Sequence, residues 1–183
     1  MEQTEDQSAA LEFLARRESY DPVPESDPVH IATHGSHVFL AGDRAYKLKR
    51  AVAFPYMDYG TLALRKRFTE AELELNRRTA PGLYLGIRRL TRAGDGTLVF
   101  DGEGETVEYV LEMRRFAEEA LLDRMAESGT LTSALIERTA ERIHAFHESA
   151  DSLPPDQAPG AGSAGLRTVL EENFEELEAQ PDH

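Results

Sequence analysis

The sequence predicts an α+β fold in which a mostly β region comes first and a helical region follows. Short runs of β-branched and aromatic residues, separated by turns that contain Gly and Asp, fill the chain up to about residue 115. One long helical pattern interrupts these runs, and only helical patterns follow residue 116. A chain of 183 residues is expected to form one domain, with or without an appendage.

Composition narrows the class of protein. Asp and Glu number 34 against 20 for Lys and Arg, so the formal net charge is −14. This charge argues against nucleic acid as a partner, because phosphate binding needs a surplus of Lys and Arg. The chain has no Cys, which excludes disulfides and Cys-ligated metals. It also has neither a long apolar run nor the features of a signal peptide, so we expect a cytoplasmic protein without a membrane partner.

The β region is predicted to begin after an amphipathic helix at residues 8–17 and a proline-rich lead-in. From the strand-like runs we expect a five-stranded antiparallel sheet, and we expect residues 54–60 to form a loop. Thr61 is expected to cap a long helix that ends near residue 78 and packs on the sheet. The strand-like runs lie at 29–33, 37–40, 44–50, 83–91, 97–100 and 107–113. The short run at 97–100 forms a hairpin with 83–91, and 107–113 is the fifth main strand of the expected sheet.

The long helix and the later helices follow from apolar periodicity. Leu64, Phe68, Ala71 and Leu75 recur at helical spacing, so this stripe is expected to face the sheet. Further helices are predicted at 120–127, 132–149 and 166–179, with a flexible segment at 153–165. The predicted organisation is a lead-in over 1–28, a β-rich part over 29–116 and a helical part over 117–183.

Lys47 is the first candidate for chemistry. Ala45 and Lys47 alternate with Tyr46 on the third strand and therefore point to the same face. A small residue leaves room for a flat base there, and an ammonium group two residues later can reach phosphate oxygens. Lys49 shares this face and is the rival candidate, so the sequence leaves open which lysine faces a cleft.

A phosphate-binding lysine needs a carboxylate to hold it, and the following helix supplies one. Glu72 lies four residues after Phe68 and three before Leu75, which predicts the buried side of the helix. We therefore expect Glu72 to approach Lys47 within about 4 Å, with Glu70 as the alternative.

Four segments together resemble a known family. They are HGSHVFLAGDRAYKLKR (34–50), FPYMDYGTL (54–62), EAELELNRRTAPGLYLG (70–86) and EYVLEMRRF (108–116). These segments are similar to the N-terminal portion of bacterial aminoglycoside-phosphotransferase-like proteins, which are protein-kinase-like. Proteins of that family are frequently fused to a C-terminal P-loop ATP-binding domain.

The resemblance implies an N-lobe of the protein-kinase type followed by the first helices of a helical C-lobe. It implies ATP and Mg²⁺ as cofactors and a small-molecule acceptor of unknown identity as substrate. By the resemblance Lys47, beside Ala45, is the lysine that clamps phosphate, and Glu72 is its partner on the helix. Backbone N–H groups of the turn at Gly35 and Ser36 could contact the phosphates. The segment Glu112-Met113-Arg114 would be the hinge whose backbone meets adenine.

The sequence departs from this family in two respects. The turn at residues 34–36 carries one glycine and not the G-x-G-x-x-G of protein kinases. The H-x-D-x-x-x-x-N catalytic loop and the following metal-binding Asp do not occur in the chain, and neither does a P-loop motif. No catalytic residue or Mg²⁺ ligand can therefore be assigned, and we expect the chain to be inactive alone. It is interpreted as the front part of a longer protein, with the missing C-terminal part as a candidate partner.

Two alternatives stay open. One is a non-catalytic binding or scaffold module of degenerate kinase fold, and the other is an acidic partner-binding protein that takes no nucleotide. A histidine metal site is not expected, because strand alternation would place His30 and His37 on opposite faces.

Overall fold

The fold is that of a computed structural model, which describes residues 5–152, 154 and 162–179. Its contacts divide the chain into two compact units, Met1–Leu131 and Thr132–His183. The first unit holds all the strands, and the second holds two long helices. The domain boundaries predicted after residues 28 and 116 stay predictions.

Six strands form one antiparallel sheet, and two short strands form a separate hairpin. The order across the large sheet is β1-β2-β3-β8-β6-β7, so β8 lies between β3 and β6. The bounds are β1 Val29–Ala32, β2 Ser36–Ala41, β3 Arg44–Lys49, β4 Ala53–Phe54, β5 Met57–Asp58, β6 Tyr84–Arg92, β7 Leu98–Phe100 and β8 Glu105–Arg114.

The predicted α+β class and the antiparallel arrangement are confirmed, but two details were wrong. The sheet has six strands and not five, because the three-residue β7 pairs with β6 at one edge. The segment predicted as a loop at 54–60 contains β5 and the end of β4, which pair with each other. Strands of two residues carry too little alternation for a sequence pattern to predict them.

The described residues form five α-helices: α1 Ser8–Leu14, α2 Leu62–Arg77, α3 Leu122–Glu127, α4 Ser133–Ser149 and α5 Gly162–Ala179. Thr61 caps α2 as predicted, since its Oγ1 accepts a hydrogen bond from the Leu64 amide at 3.3 Å. Within the described ranges, no helix has both the length and the apolar character that crossing a bilayer requires.

Two of the predicted boundaries near the helices need correction. The first helix ends at Leu14, and a 3₁₀ turn follows at Arg17–Ser19. The last helix begins at Gly162, so residues 162–165 of the predicted flexible segment are helical. Residues 153 and 155–161 of that segment lie outside the described part of the chain.

The main core lies on one face of the sheet. Leu14 of α1 packs there with side chains of β2, β3, β6 and β8, which alternate into this face. The largest fully buried apolar members of this cluster are Leu14, Phe39, Leu48, Leu90 and Val110. The opposite face carries α2, which packs against β8 and β6.

The buried side of α2 is polar, which corrects the predicted apolar stripe. Arg65 and Thr69 are each 1% exposed, whereas Phe68 is 36% and Leu75 is 56% exposed. Arg65, Thr69 and Glu72 recur at helical spacing and form the side that faces the sheet. Burial of the Arg65 guanidinium is possible because a carboxylate on β8 receives it.

Candidate functional site

A cavity of about 650 Å³ opens on the sheet face that carries α2. Strand alternation directs Ala45, Lys47 and Lys49 of β3 into it, whereas Tyr46 and Leu48 enter the core on the other face. Neighbouring strands add apolar side chains to the same wall, namely Ile31, Val38, Leu40 and Met113. Its volume lies in the range of ligand sites in proteins, roughly 300–1,000 Å³.

Glu72 of α2 brings a carboxylate to two lysines at this cavity. Lys47 Nζ donates a hydrogen bond to Glu72 Oε1 at 2.7 Å, so the predicted contact between these residues is present. Lys49 Nζ donates to Glu72 Oε2, also at 2.7 Å. Both lysines therefore face the cavity, which resolves the alternative that the sequence left open. Glu70, the alternative partner, is exposed and pairs with Lys66 at 3.8 Å.

Electrostatics keep the Glu72 carboxylate ionised. Burial alone would raise its pKa, but the hydrogen bonds and charges of Lys47 and Lys49 outweigh burial and hold the pKa below the ordinary 4.5. The effect reaches Tyr84 on β6, whose pKa is raised by burial and by the nearby Glu72 charge. The negative charge needed to hold both ammonium groups is thus present at neutral pH.

One end of the cavity is walled by the turn between β1 and β2 and by the β4–β5 hairpin. Gly35 and Ser36 of the turn line the cavity, together with Met57 and Tyr59. A Cβ atom on Gly35 would lie 2.9 Å from Met57 Cε and 3.1 Å from Met57 Sδ, so glycine permits this close approach. Sequence reasoning placed Gly35 and Ser36 at the site but missed the hairpin.

The other end of the cavity lies beyond the end of β8. Arg115, Phe116, Glu118 and Leu121 line it, and Met113 connects them to the strand. Sequence reasoning did not include these four residues. They follow directly after the predicted hinge, so extending that segment along the chain would have found them.

The three predicted hinge residues do not all face the cavity. Met113 pairs with Ala45 and lines the cavity. Glu112 pairs with Tyr46 and shares its opposite face, where its carboxylate lies 3.6 Å from Arg44 and 3.7 Å from Arg88. The backbone amide of Arg114 donates to Leu83 O at 2.8 Å. Glu112 and Arg114 are absent from the described cavity lining, and their role toward a cofactor stays a prediction.

Behind the site, a buried network fixes α2 to the sheet. Arg65 donates to both oxygens of Glu108 on β8, at 3.0 and 2.8 Å, and to Glu5 at 2.7 Å. Gln7 donates to Glu108 Oε1 at 2.8 Å and to the carbonyl of Lys49 at 2.9 Å. Sequence reasoning missed this network. Polar residues at helical spacing, Arg65, Thr69 and Glu72, were the available signal.

The histidines of β1 and β2 correct a further expectation. His30 Nε2 and His37 Nδ1 lie 3.0 Å apart, so the two rings share a face. The reason is register, because Ala32 pairs with His37 and His30 pairs with Phe39, which makes the histidines diagonal neighbours. No cluster of three or more His, Cys, Asp or Glu side chains that could hold a metal occurs among the described residues.

The cavity residues fit a nucleotide better than they fit a magnesium ion. An apolar wall beside Ala45 and Met113 suits a flat base, and the ammonium groups suit phosphate oxygens. Mg²⁺ requires oxygen ligands, but Glu72 is already occupied by two lysines, and Glu118 is the other carboxylate in the described lining. The described lining therefore does not provide the set of oxygen ligands that Mg²⁺ needs.

The chain is similar to uncharacterized proteins of two Mycobacterium tuberculosis strains and of Mycobacterium bovis, each 33% identical over 150 residues. The matched region is 82% of this chain but only 28% of each relative's length. No model of a protein family matches the chain. No solved structure matches it either.

Proposed function

We propose that this chain is the nucleotide-binding part of a kinase-like small-molecule phosphotransferase. The observation that carries the proposal is the Lys47–Glu72 ion pair of 2.7 Å at a cavity on an antiparallel sheet. A strand lysine held by a helix carboxylate is the arrangement with which kinases hold nucleotide phosphates. The proposed parent reaction is phosphoryl transfer from ATP to a hydroxyl acceptor.

Each part of the cavity has a role in this proposal. The base lies against Ala45, Met113 and the apolar side chains of the neighbouring strands. The phosphates extend toward Lys47 and lie under the turn that contains Gly35 and Ser36. Glu72 orients the Lys47 ammonium group, which can then neutralise a phosphate oxygen.

We do not expect this chain to transfer phosphate by itself. Phosphoryl transfer depends on positioning the acceptor hydroxyl and on neutralising charge, and the sequence contains no H-x-D-x-x-x-x-N loop to supply those groups. The acidic chain, with its net charge of −14, also opposes a polyanionic ligand. We expect ATP to bind with a dissociation constant on the order of 1 mM.

The test is an NMR titration of the chain with ATP, together with an assay for ATP hydrolysis. Lys47→Met should weaken ATP binding about tenfold, because it removes one charge-assisted hydrogen bond. Lys66→Met is the matched control, since it removes the same charge from an exposed position on α2 outside the cavity. Equal weakening by both variants, or hydrolysis that survives Lys47→Met, would show that the site is misassigned.

A further inference from the structure

Lys49 is more deeply buried than Lys47, the lysine to which the proposed function assigns the phosphate. It is 6% exposed, and its Nζ lies 2.7 Å from Glu72 Oε2 and 4.7 Å from the centroid of the Tyr59 ring. The chain contains only three lysines, at 47, 49 and 66, and two of them meet at this one carboxylate. The role proposed for Lys47 does not explain why a second lysine is buried at the same carboxylate.

Charge at this end of the cavity does not balance. Glu72 can neutralise one of the two ammonium groups, which leaves one positive charge in a partly buried environment. The other charged side chains of the described lining, Arg115 and Glu118, follow the end of β8 and carry one charge of each sign, so they add no net charge. An unbalanced buried charge is costly, and an anionic ligand would remove that cost.

The surroundings of Lys49 also define where such an anion lies. Lys49 pairs with Ser36 across the β2–β3 ladder, so it lies at the cavity end next to the Gly35 turn. It is four residues, or about 13 Å, along β3 from Ala45. Met57 and Tyr59 of the hairpin segment close the same end.

We propose that Lys49 is a second anion-binding ammonium group, and that Lys47 and Lys49 together hold a phosphate chain. The inference rests on the proposed function and extends it, because it names the ligand class: nucleoside di- and triphosphates in preference to nucleosides. When phosphate oxygens share the Lys47 ammonium group with Glu72, Lys49 keeps that carboxylate paired. When a longer phosphate chain extends beyond Lys47, Lys49 contacts its phosphate oxygens directly under the Gly35 turn.

The competing explanation is that Lys49 only fixes Glu72 in place. In that case its removal would lower the stability of the fold and weaken every ligand of the cavity equally. A phosphate-binding role predicts a change in selectivity, because adenosine carries no phosphate and would be unaffected. Selectivity between ligands therefore separates the two explanations.

The experiment titrates three probes at fixed ionic strength: adenosine, ADP and inorganic tripolyphosphate. Proteins are the wild-type chain, Lys49→Met, Lys49→Arg and the control Lys66→Met. Lys49→Met should bind ADP and tripolyphosphate about tenfold more weakly and adenosine equally well. Lys49→Arg should retain most of the preference, and Lys66→Met should match wild type. Unchanged tripolyphosphate affinity in Lys49→Met would overturn the inference.

A measurement on the wild-type chain does not depend on whether a variant folds. With lysine ¹³C-labelled at Cε, three signals report on residues 47, 49 and 66. Tripolyphosphate should shift the signals of Lys47 and Lys49 and leave that of Lys66 in place. A Lys49 signal that stays as constant as that of Lys66 would overturn the inference.

These outcomes also separate this inference from the proposed function. If ADP binds through Lys47 while the Lys49 signal does not move, the nucleotide site stands and the second-lysine role is wrong. A second outcome is that tripolyphosphate shifts the Lys49 signal, adenosine does not bind, and ADP binds no more tightly than tripolyphosphate. In that case the anion site stands and the nucleotide assignment is wrong. If no probe binds, both are wrong.

Discussion

Arg65 and Glu108 join α2 to β8 through two hydrogen bonds between a guanidinium and a carboxylate, at 3.0 and 2.8 Å. Both side chains are almost completely buried, at 1% and 3% exposed. Because Glu72 lies two helical turns after Arg65 on the same side of α2, this pair fixes the helix that brings Glu72 to the lysines.

Breaking the Arg65–Glu108 pair should strongly destabilise the fold. Arg65→Met leaves the Glu108 carboxylate buried without its main partner, which costs about 3–5 kcal/mol of unfolding free energy. Urea denaturation measures this cost. Arg67→Met, an exposed position on the same helix, should change stability by less than about 0.5 kcal/mol. The double variant Arg65→Met/Glu108→Met should recover part of the loss, and equal stability of the single and double variants would contradict this account.

The interaction of Glu72 with the lysines should give stability a specific dependence on pH. Its pKa in the folded chain lies below the ordinary 4.5, so its contribution is fully present above about pH 4.5 and is lost as pH falls through the folded value. Glu72→Gln should cost about 1–3 kcal/mol at pH 7 and progressively less on acidification. Denaturation of both proteins between pH 3 and pH 7 tests this. A difference that does not shrink at low pH would show that the carboxylate charge is unimportant.

Gln7 should contribute more to stability than an ordinary residue near a chain end. Its amide donates to Lys49 O and Glu108 Oε1, and its Oε1 accepts from the Ala51 amide at 2.7 Å. Gln7→Ala removes the side-chain partner of the Ala51 amide and of the Lys49 carbonyl, whereas Glu108 Oε1 keeps its hydrogen bond from Arg65. We therefore expect a loss of about 1–3 kcal/mol. Glu12→Ala on α1 is the control, because Glu12 forms only an exposed pair with Arg16. A loss no larger than that of the control would mean that water replaces Gln7.

Local patterns predicted most of the elements and the central contact of the site. Alternation along β3 directed Ala45, Lys47 and Lys49 to one face, and the Thr61 cap located the start of α2. The contact of Glu72 with Lys47 was predicted correctly but for a reason that was wrong, because the spacing argument grouped Glu72 with the exposed Phe68 and Leu75. Glu72 instead shares the sheet-facing side of α2 with Arg65 and Thr69.

The failures concern relationships that local patterns do not contain. The side of α2 with Phe68 and Leu75 is apolar, yet it does not face the sheet. The side with Arg65 faces the sheet instead, because Glu108 on β8 accepts hydrogen bonds from its guanidinium. The meeting of His30 with His37 depends on the register between β1 and β2. Both depend on pairings between distant segments, and a single sequence does not fix such pairings.

The most direct test of the proposal that the cavity binds a nucleotide uses the two methionines that line it. Met57 lies at the end with the Gly35 turn and Met113 at the end proposed for the base, whereas Met125 on α3 is not in the described lining. In a titration with ATP followed by methionine methyl NMR, the Met57 and Met113 signals should shift with one common dissociation constant on the order of 1 mM, and Met125 should stay constant. Absence of shifts at several times that concentration, or shifts at Met125 alone, would contradict the account.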